Sequence, residues 1–387
     1  MILGVPKETW PGERRVALVP DAVRDLVGDP VQLAVERGAG LAAGFADADY
    51  EKAGARIEAD PRALLAGADV VLKVQPPRAR EDGSDEVDDL GQGHLLICFL
   101  RPLDMPGLAA RLAARGITAF SMELMPRITR AQSMDALSSM STLSGYRAVL
   151  LAAVALPKIF PMMITAAGTL APARVLVIGA GVAGLQAIAT ARRLGAVVEA
   201  YDTRPAVKEQ VQSLGARFVE LALETGDAED AEGYARAQSE AFYRRQRELL
   251  GRRLAASDVV VSTALVPGER APLLIDEDAV RGMRPGSVIV DLAAESGGNC
   301  ALSEPDREVR AHGVTILGPT NLPSDVPANA SQMYSKNVTA FLGHLMSGGR
   351  IELDLEDEIT RAALLTHQGQ IANERVRALA APAARAT

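Results

Sequence analysis

The sequence has little of the chemistry that marks disulfide frameworks, metal sites or membrane spans. Its 387 residues include only two cysteines and four histidines. Cys98 and Cys300 lie far apart and belong to no CxxC or His/Cys cluster, which excludes a disulfide framework and a zinc site of ordinary spacing and favours a reducing compartment. The longest apolar runs, 148–157 and 161–172, are broken by proline and fall short of the roughly 18–20 residues that a membrane span needs. We therefore expect a soluble chain.

The chain also has fewer basic than acidic side chains. The chain carries 41 basic and 49 acidic side chains, a formal net charge of −8, which argues against nucleic acid or an anionic membrane surface as the main partner. The N-terminus is charged within seven residues and has no signal-peptide apolar core. An apolar content of 48% is that of an ordinary globular protein. At roughly 150 residues per domain, the length indicates two or three domains.

Short apolar runs alternate with helical segments, which is typical of parallel α/β sheets. Long helices are predicted over 134–156 and 330–347, and a hairpin over 364–373 that turns at Gln368–Gly369. The strands are predicted at 1–6, 31–36, 68–77, 94–100, 116–123, 197–202, 216–221, 257–264, 286–293 and 313–319, and the strand–helix alternation starts again at 173–196. The fold class is α/β, with two Rossmann-like doubly wound domains and a cleft between them. We predict one domain from 1–137 plus 322–387 and the other from 138–321.

Two charged stretches interrupt this alternation. The stretch 78–90 is most simply a solvated loop. The segment 224–250 is acidic in its first half, with Gly233–Tyr234 at its middle, and continues as a charged helix. An insertion of this length is uncommon between strands of a compact domain, so it is either a functional loop or a solvated excursion.

The strongest local signal is a glycine-rich turn. Gly179, Gly181 and Gly184 form GxGxxG between an apolar strand and a helix, and Asp202 ends the next strand 18 residues after Gly184. Gly179 permits the tight turn, Gly181 lets the backbone approach a pyrophosphate, and Gly184 allows close helix–strand packing. The start of the helix offers N–H groups and the positive end of its dipole to the phosphates.

Asp202 indicates NAD rather than NADP. Its carboxylate can accept both ribose hydroxyls and would repel a 2′-phosphate. Arg204 is the one counter-signal, because an arginine there could hold a 2′-phosphate. In the second half of the domain, loops 262–268 and 291–299 follow strands at the carboxyl edge, where ligands of such sheets bind. Further cofactor contacts are predicted at Val182, Ala183, Thr203, Arg204, Ala264, Leu265 and Asn299.

Candidates for acid/base chemistry are few. A dehydrogenase that oxidises an alcohol or amine needs a group near the nicotinamide to handle the proton. No histidine lies beside a carboxylate in a recognisable catalytic pattern in the sequence. Arg15 and Lys73 could bind a substrate carboxylate or be surface charges. The histidines are His94, His312, His344 and His367.

A polar segment at 127–139 leads into the long helix. Gln132, Asp135 and Ser138 are near i, i+3, i+6 spacing, which predicts one shared helix face. Together with Arg127, this face could bind the carboxamide and ribose of a nicotinamide. The alternative is a helix N-cap, but Ser133 followed three residues later by Ala136 gives no capping box.

These motifs resemble a known family, the NAD(H)-binding component of proton-translocating nicotinamide nucleotide transhydrogenase, the soluble alpha subunit of the split bacterial form. The segment RAQSMDALSS is specific to that family, and the likeness covers nearly the whole chain. It is carried by GVPKETWPGERRVALVP, RAQSMDALSS, SGYRAV, PMMITAAGT, GAGVAGLQAIATARRLGAVVEAYD, TALVPG, DLAAESGGNC and the Gly233–Tyr234 loop.

The resemblance implies roles for these residues. Arg127, Gln132 and Asp135 would orient the dihydronicotinamide and contact the incoming NADP(H), Ser138 would touch the cofactor, and Tyr234 would lie on a loop that closes over bound nucleotide. NADP(H) would be held by a partner beta subunit, since this chain has one complete GxGxxG unit. The resemblance further implies a homodimer on the cytoplasmic face of a membrane subunit that conducts protons.

Two alternatives remain open. The family is related to alanine dehydrogenase, and Arg15 and Lys73 match that enzyme's substrate-carboxylate residues. Its catalytic histidine, however, aligns with Arg101, and an arginine cannot shuttle a proton near neutral pH. The other alternative is a catalytically silent NAD-binding module.

Overall fold

The computed structural model describes residues 1–28, 30–80, 82–221, 239–266 and 268–380. The chain divides into two compact units, Met1–Met140 with Ser324–Thr387 (unit 1) and Ser141–Pro323 (unit 2). The divisions at 140 and 324 compare with 137 and 322 predicted from the sequence.

Strands and helices are numbered along the chain. The strands are β1 Ile2–Val5, β2 Gln32–Glu36, β3 Arg56–Glu58, β4 Val70–Leu72, β5 Leu95–Cys98, β6 Thr118–Ser121, β7 Met163–Thr165, β8 Gly168–Leu170, β9 Arg174–Ile178, β10 Val197–Tyr201, β11 Arg217–Phe218, β12 Val259–Ser262, β13 Val288–Asp291, β14 Glu308–Ala311, β15 Val314–Leu317, β16 Met346–Ser347, β17 Arg350–Ile351, β18 Leu364–His367 and β19 Gln370–Ile371. The α-helices are α1 Pro20–Leu26, α2 Asp47–Lys52, α3 Pro61–Gly67, α4 Pro106–Ala114, α5 Ala136–Ala155, α6 Val182–Arg193, α7 Lys208–Ser213, α8 Glu240–Ala255, α9 Glu277–Arg281, α10 Pro327–Leu345, α11 Glu358–Ala363 and α12 Glu374–Ala380.

Unit 1 is built on a sheet in the order β19-β18-β6-β5-β4-β1-β2-β3. The six strands from β6 to β3 are parallel, and their order is that of a doubly wound sheet, 3-2-1-4-5-6. Strand β18 adds antiparallel to β6 and pairs with β19. The turn of this last pair has Gln368 at φ 48° and Gly369 at φ 78°. The predicted hairpin is therefore confirmed.

Unit 2 repeats the same topology. Its sheet has the order β11-β10-β9-β12-β13-β15-β14, and only the edge strand β14 is antiparallel to its neighbour. Strand β9 is buried on both faces, with Val175 and Val177 in a core that includes α5 and α6, and Leu176 and Ile178 in a core that includes α8. Burial on both faces explains its uninterrupted apolar sequence. The predicted α/β class with two Rossmann-like domains is confirmed.

Several short elements escape the sequence pattern. Strands β3 and β14 are brief edge strands, and the apolar run at 161–172 contains a separate hairpin, β7–β8. The hairpin side chains are exposed, Ile164 to 73% and Met163 to 44%. Among the described residues, no helix is both long enough and apolar enough to cross a bilayer.

Candidate functional site

The glycine turn between β9 and α6 has the predicted geometry. Gly179 has φ 92°, a left-handed conformation that favours glycine. A Cβ at Gly184 would stand 1.8 Å from the carbonyl oxygen of Gly179, so any side chain there would break the turn. At Gly181 the nearest atom to a Cβ would be 4.0 Å away, on Arg204. Backbone conformation therefore requires glycine at 179, and close packing requires it at 184. Gly181 borders open space.

Asp202 closes the turn from the end of β10. Its Oδ2 accepts the N–H of Ala180 at 2.7 Å. Its Oδ1 accepts the main-chain N–H of Arg204 at 2.9 Å, and the Arg204 side chain adds an ion pair at 2.8 Å. The carboxylate is therefore placed at the carboxyl edge of the sheet, beside the glycine turn, with its partners in the same unit. Thr203, between Asp202 and Arg204 in the chain, is half-buried.

The loop after β12 lies against the same turn. The Thr263 hydroxyl donates to the carbonyl of Gly179 at 3.0 Å. The N–H of Ala264 donates to Asn299 Oδ1 at 3.1 Å, and Leu265 is 41% exposed. Val182 and Ala183 are the first two residues of α6. The N–H groups of the first turn of a helix have no acceptor within the helix.

Asn299 does not line the site, contrary to the prediction. It is 0% exposed. Its Nδ2 donates to the carbonyls of Ala264 and Pro272 at 2.8 and 2.9 Å, while its Oδ1 accepts from Ser262 at 2.7 Å as well as from Ala264. The Asn299 side chain therefore stabilises the loop after β12, because its amide hydrogen-bonds to both the N–H and the carbonyl of Ala264.

Gly145 is a site residue that sequence reasoning missed. A Cβ at this position in α5 would stand 2.0 Å from the carbonyl oxygen of Ala183. Helix α5 can therefore approach the first turn of α6 only with glycine here. The available signal was a lone glycine inside a long helical pattern, which often has a packing reason.

The polar segment before α5 differs from its prediction. Residues Thr129–Met134 form a 3₁₀ helix, and α5 begins only at Ala136. Asp135 lies between them and caps α5, because its Oδ1 accepts the N–H of Ser138 at 2.8 Å and its Oδ2 the Ser138 hydroxyl at 2.6 Å. The three residues therefore do not lie on one helix, because Gln132 belongs to the 3₁₀ helix, Asp135 to the junction and Ser138 to α5. Gln132 and Arg127 are exposed, whereas Asp135 and Ser138 are half-buried.

Neighbouring elements of unit 1 hold the 3₁₀ helix in place. The amide of Asn337, on α10, donates to the carbonyl of Ser133 at 2.8 Å. Arg130 pairs with Asp357, the N-cap of α11, at 2.9 Å. The partial burial of Asp357 would raise its pKa, but the hydrogen bonds from Arg130 and the helix N–H groups outweigh this and lower the pKa to about 2.

Arg15 and Lys73 are buried, so the interpretation as surface charges is wrong. Arg15 pairs with Glu13 at 2.6 Å, and Lys73 pairs with Glu86 at 3.2 Å and Glu8 at 3.5 Å. Burial would lower the pKa of Lys73, but the two carboxylates outweigh it and raise the pKa. Because Glu86 belongs to the stretch 78–90 and is itself buried, that stretch is not wholly a solvated loop.

Arg101 has an unusual backbone for a non-glycine residue, with φ 48°. Its N–H donates to Glu123 at 2.8 Å, and its guanidinium lies 5.9 Å from the centre of the Trp10 ring. Arg78 lies 5.3 Å from the same ring. Burial raises the pKa of Glu123. The arginine that the resemblance predicts in place of a catalytic histidine therefore has a constrained backbone.

Two histidines do meet carboxylates, which the sequence did not show. His312 pairs with Glu277 at 3.0 Å and His344 with Asp357 at 3.2 Å. His312 follows β14, at the start of β15 and thus at the opposite edge of the sheet from the glycine turn. Tyr234 and the first half of the 224–250 segment lie outside the described residues, and the predicted charged helix of its second half is α8.

Models of two protein domains match the chain. The Alanine dehydrogenase/PNT N-terminal domain matches residues 4–144, and the C-terminal domain matches 148–374. The chain belongs to the alanine dehydrogenase/PNT family. The predicted family resemblance is thus confirmed, and the 3₁₀ helix and the glycine turn lie in different matched domains.

Curated relatives cover nearly the whole chain. It is 50% identical over 376 residues to an NAD(P) transhydrogenase subunit alpha chain of Rhodospirillum rubrum, covering 96% of this chain and 97% of the relative. It is 32% identical to the alanine dehydrogenase of Halomonas elongata, covering 96% and 94%. Among solved structures, the transhydrogenase from Sinorhizobium meliloti is 42% identical with a TM-score of 0.85, covering 96% of this chain and 100% of that one.

Proposed function

We propose that this chain is the NAD(H)-binding component of a proton-translocating NAD(P)⁺ transhydrogenase. The observation that carries the proposal is the glycine turn of unit 2, open above Gly181 and closed by Asp202. The names of the relatives at 43–50% identity support the same assignment. The chain would transfer hydride from NADH to NADP⁺ held by a partner beta subunit.

The residues of the turn fit a dinucleotide. The space above Gly181 would admit the pyrophosphate, and the N–H groups at Val182 and Ala183 would face its charge. Asp202 would take the ribose hydroxyls, with Thr203 and Arg204 beside it. Ala264 and Leu265, on the loop braced by Asn299, would contact the nicotinamide half.

The proposed reaction needs no proton carrier in this chain. NADH supplies a hydride, with its electron pair, from C4 of the nicotinamide to C4 of NADP⁺, and no hydroxyl or amine proton is released. The protein must orient the rings and exclude water. Arg127, Gln132 and Asp135 would orient the dihydronicotinamide, and Ser138 would touch the cofactor. Asp135 and Ser138 would at the same time hold the start of α5 through their hydrogen bonds. Tyr234 would lie on a loop that closes over nucleotide.

Charge opposes the amino-acid dehydrogenase alternative. The two cations that would bind a substrate carboxylate, Arg15 and Lys73, already contact three carboxylates of this chain. An anionic substrate would have to enter a buried cluster whose positive charge is already compensated. With pyruvate and ammonium, we expect no NADH oxidation above background by protein that binds NADH.

The assembly follows from the same proposal. The chain would lie at the cytoplasmic face of the membrane subunit as a peripheral component, with proton conduction in its partners. A homodimer would cover the apolar side chains that the β7–β8 hairpin exposes, among them Ile164. Light scattering of the purified chain should then give twice its 40.8 kDa mass.

A mixing assay tests the function. The purified chain is combined with a purified NADP(H)-binding beta-subunit domain, NADH and an NADP⁺ analogue whose reduced form absorbs at its own wavelength. We expect analogue reduction that needs both proteins. If NADH binds but no reduction occurs in the mixture, the chain is a silent NAD-binding module and the proposal is wrong.

A further inference from the structure

The 3₁₀ helix Thr129–Met134 is longer than most helices of its kind. It has six residues, whereas runs longer than about three or four are uncommon, because the i→i+3 hydrogen bonds have poor geometry. Ala131 and Met134 are its buried residues, and Gln132 is exposed. The helix therefore depends on contacts with other elements to hold Gln132 in one orientation.

Asn337, on α10, supplies the first polar contact. Its Nδ2 donates to the carbonyl of Ser133, the residue after Gln132, at 2.8 Å. Asn337 is only 6% exposed, and its Oδ1 has no hydrogen-bond partner among the described residues. Burial of an amide is costly unless the amide is hydrogen-bonded, so the bond to Ser133 is the contact that compensates for the burial of this side chain.

Helix α10 is itself fixed in the core of unit 1. The Ser331 hydroxyl accepts the N–H of Val16 at 3.0 Å, and the Tyr334 hydroxyl donates to the carbonyl of Lys73 at 2.7 Å. All four residues are buried. Asn337 therefore connects the 3₁₀ helix to an element that is held by side-chain bonds to the segments after β1 and β4.

Asp357 supplies the second polar contact, and its two carboxylate oxygens have different partners. As the N-cap of α11, Oδ1 accepts the N–H groups of Ile359 and Thr360 at 2.8 and 3.3 Å. The same oxygen lies 3.2 Å from His344 Nε2. Oδ2 accepts from the Arg130 guanidinium at 2.9 Å. The helix cap and the contact with the 3₁₀ helix can therefore be removed separately.

We propose that Asn337 and Asp357 are positioning residues for hydride transfer. They hold Ser133 and Arg130, which lie on either side of Gln132 in the chain. The inference rests on the proposed function, in which Gln132 would orient the dihydronicotinamide. Both positioning residues belong to unit 1, whereas the glycine turn that would bind NADH belongs to unit 2. Their loss should therefore slow hydride transfer at nearly unchanged NADH affinity.

Asp357→Asn tests the ion pair without removing the cap. Asparagine caps a helix about as well as aspartate, but an amide nitrogen in place of Oδ2 cannot accept from Arg130. The Arg130 side chain is 60% exposed, so water weakens the pair, and we expect transfer in the mixing assay to fall only about twofold to fivefold. Arg130→Lys keeps the charge and should retain most of the rate. Arg361→Gln, at an exposed position on α11, is the matched control for Arg130→Gln.

Asn337→Leu tests the buried contact. Leucine has nearly the volume of asparagine but no donor, so the carbonyl of Ser133 loses its partner. We expect transfer about tenfold slower than in the wild type, with NADH titration nearly unchanged. Asn329→Leu, at an exposed position on the same helix, is the control and should transfer hydride at the rate of the wild type.

A double-mutant cycle shows whether Asp357 acts through Arg130. The double variant Arg130→Gln/Asp357→Asn should be no slower than Arg130→Gln alone, since the pair is already broken there. Additive losses, wild-type rates in Asp357→Asn and Asn337→Leu, or an equal loss of NADH affinity would overturn the inference. Absence of transfer by wild-type chain that binds NADH would instead contradict the proposed function.

Discussion

Replacing Asn299 with alanine should weaken nucleotide binding without touching the nucleotide. The substitution removes four hydrogen bonds, to Ser262, Pro272 and both polar groups of Ala264. Each is worth about 0.5–1.5 kcal/mol net, so we expect a loss of roughly 2–6 kcal/mol. At about 2–4 °C per kcal/mol for a unit of this size, the melting temperature should fall by at least about 4 °C.

Ser262→Ala is the matched control, because it removes only one of those four bonds. It should cost about 1 kcal/mol. Both variants are measured by calorimetric unfolding and by NADH titration well below the melting temperature. Asn299→Ala should weaken NADH binding more, since the Ala264 loop loses its brace. If both variants lose the same stability and affinity, Asn299 does not position the loop.

Three other positions give predictions of their own. Gly184→Ala places a Cβ 1.8 Å from the Gly179 carbonyl and should abolish NADH binding in titration, whereas Gly251→Ala, which meets open space in α8, should not. Burial would raise the pKa of Glu13, but its arginine partner lowers it from 4.5 to about 2. Glu13→Gln should therefore cost roughly 3 kcal/mol near pH 7 in denaturant unfolding, and the difference should be lost as pH falls from about 4.5 toward 2. Gln132→Asn should slow analogue reduction far more than it weakens NADH binding, and equal losses would make this segment only a binding surface.

The dinucleotide turn was predictable because its constraints are local. Two glycines within six residues meet two local requirements: Gly179 has a positive φ, and Gly184 lies too close to the backbone of Gly179 for a side chain. Strand β10 then brings Asp202 back beside the turn, because sequential parallel strands pair in this topology. Sheet order and site placement therefore follow from short-range patterns.

Burial of charge was not predictable in this way. Lys73 pairs with Glu8 and Glu86, which are distant in sequence and reach it only after the sheet has formed. A lone lysine at the end of an apolar strand has the same sequence signature whether it is solvated or paired. The same limit hid the role of Asn299, whose partners come from the end of β12 and from the connection between β12 and α9.

Asp135 shows why a cap and a functional role are not alternatives. Its carboxylate fixes the start of α5 through Ser138, and so ends the 3₁₀ helix that exposes Gln132. Asparagine caps helices about as well as aspartate, whereas alanine costs about 1 kcal/mol. If Asp135 acts only by position, Asp135→Asn should retain hydride transfer and Asp135→Ala should lose it together with stability. If its charge contacts the nicotinamides, Asp135→Asn should lose transfer at unchanged melting temperature, and the two variants assayed together with the beta-subunit domain separate these roles.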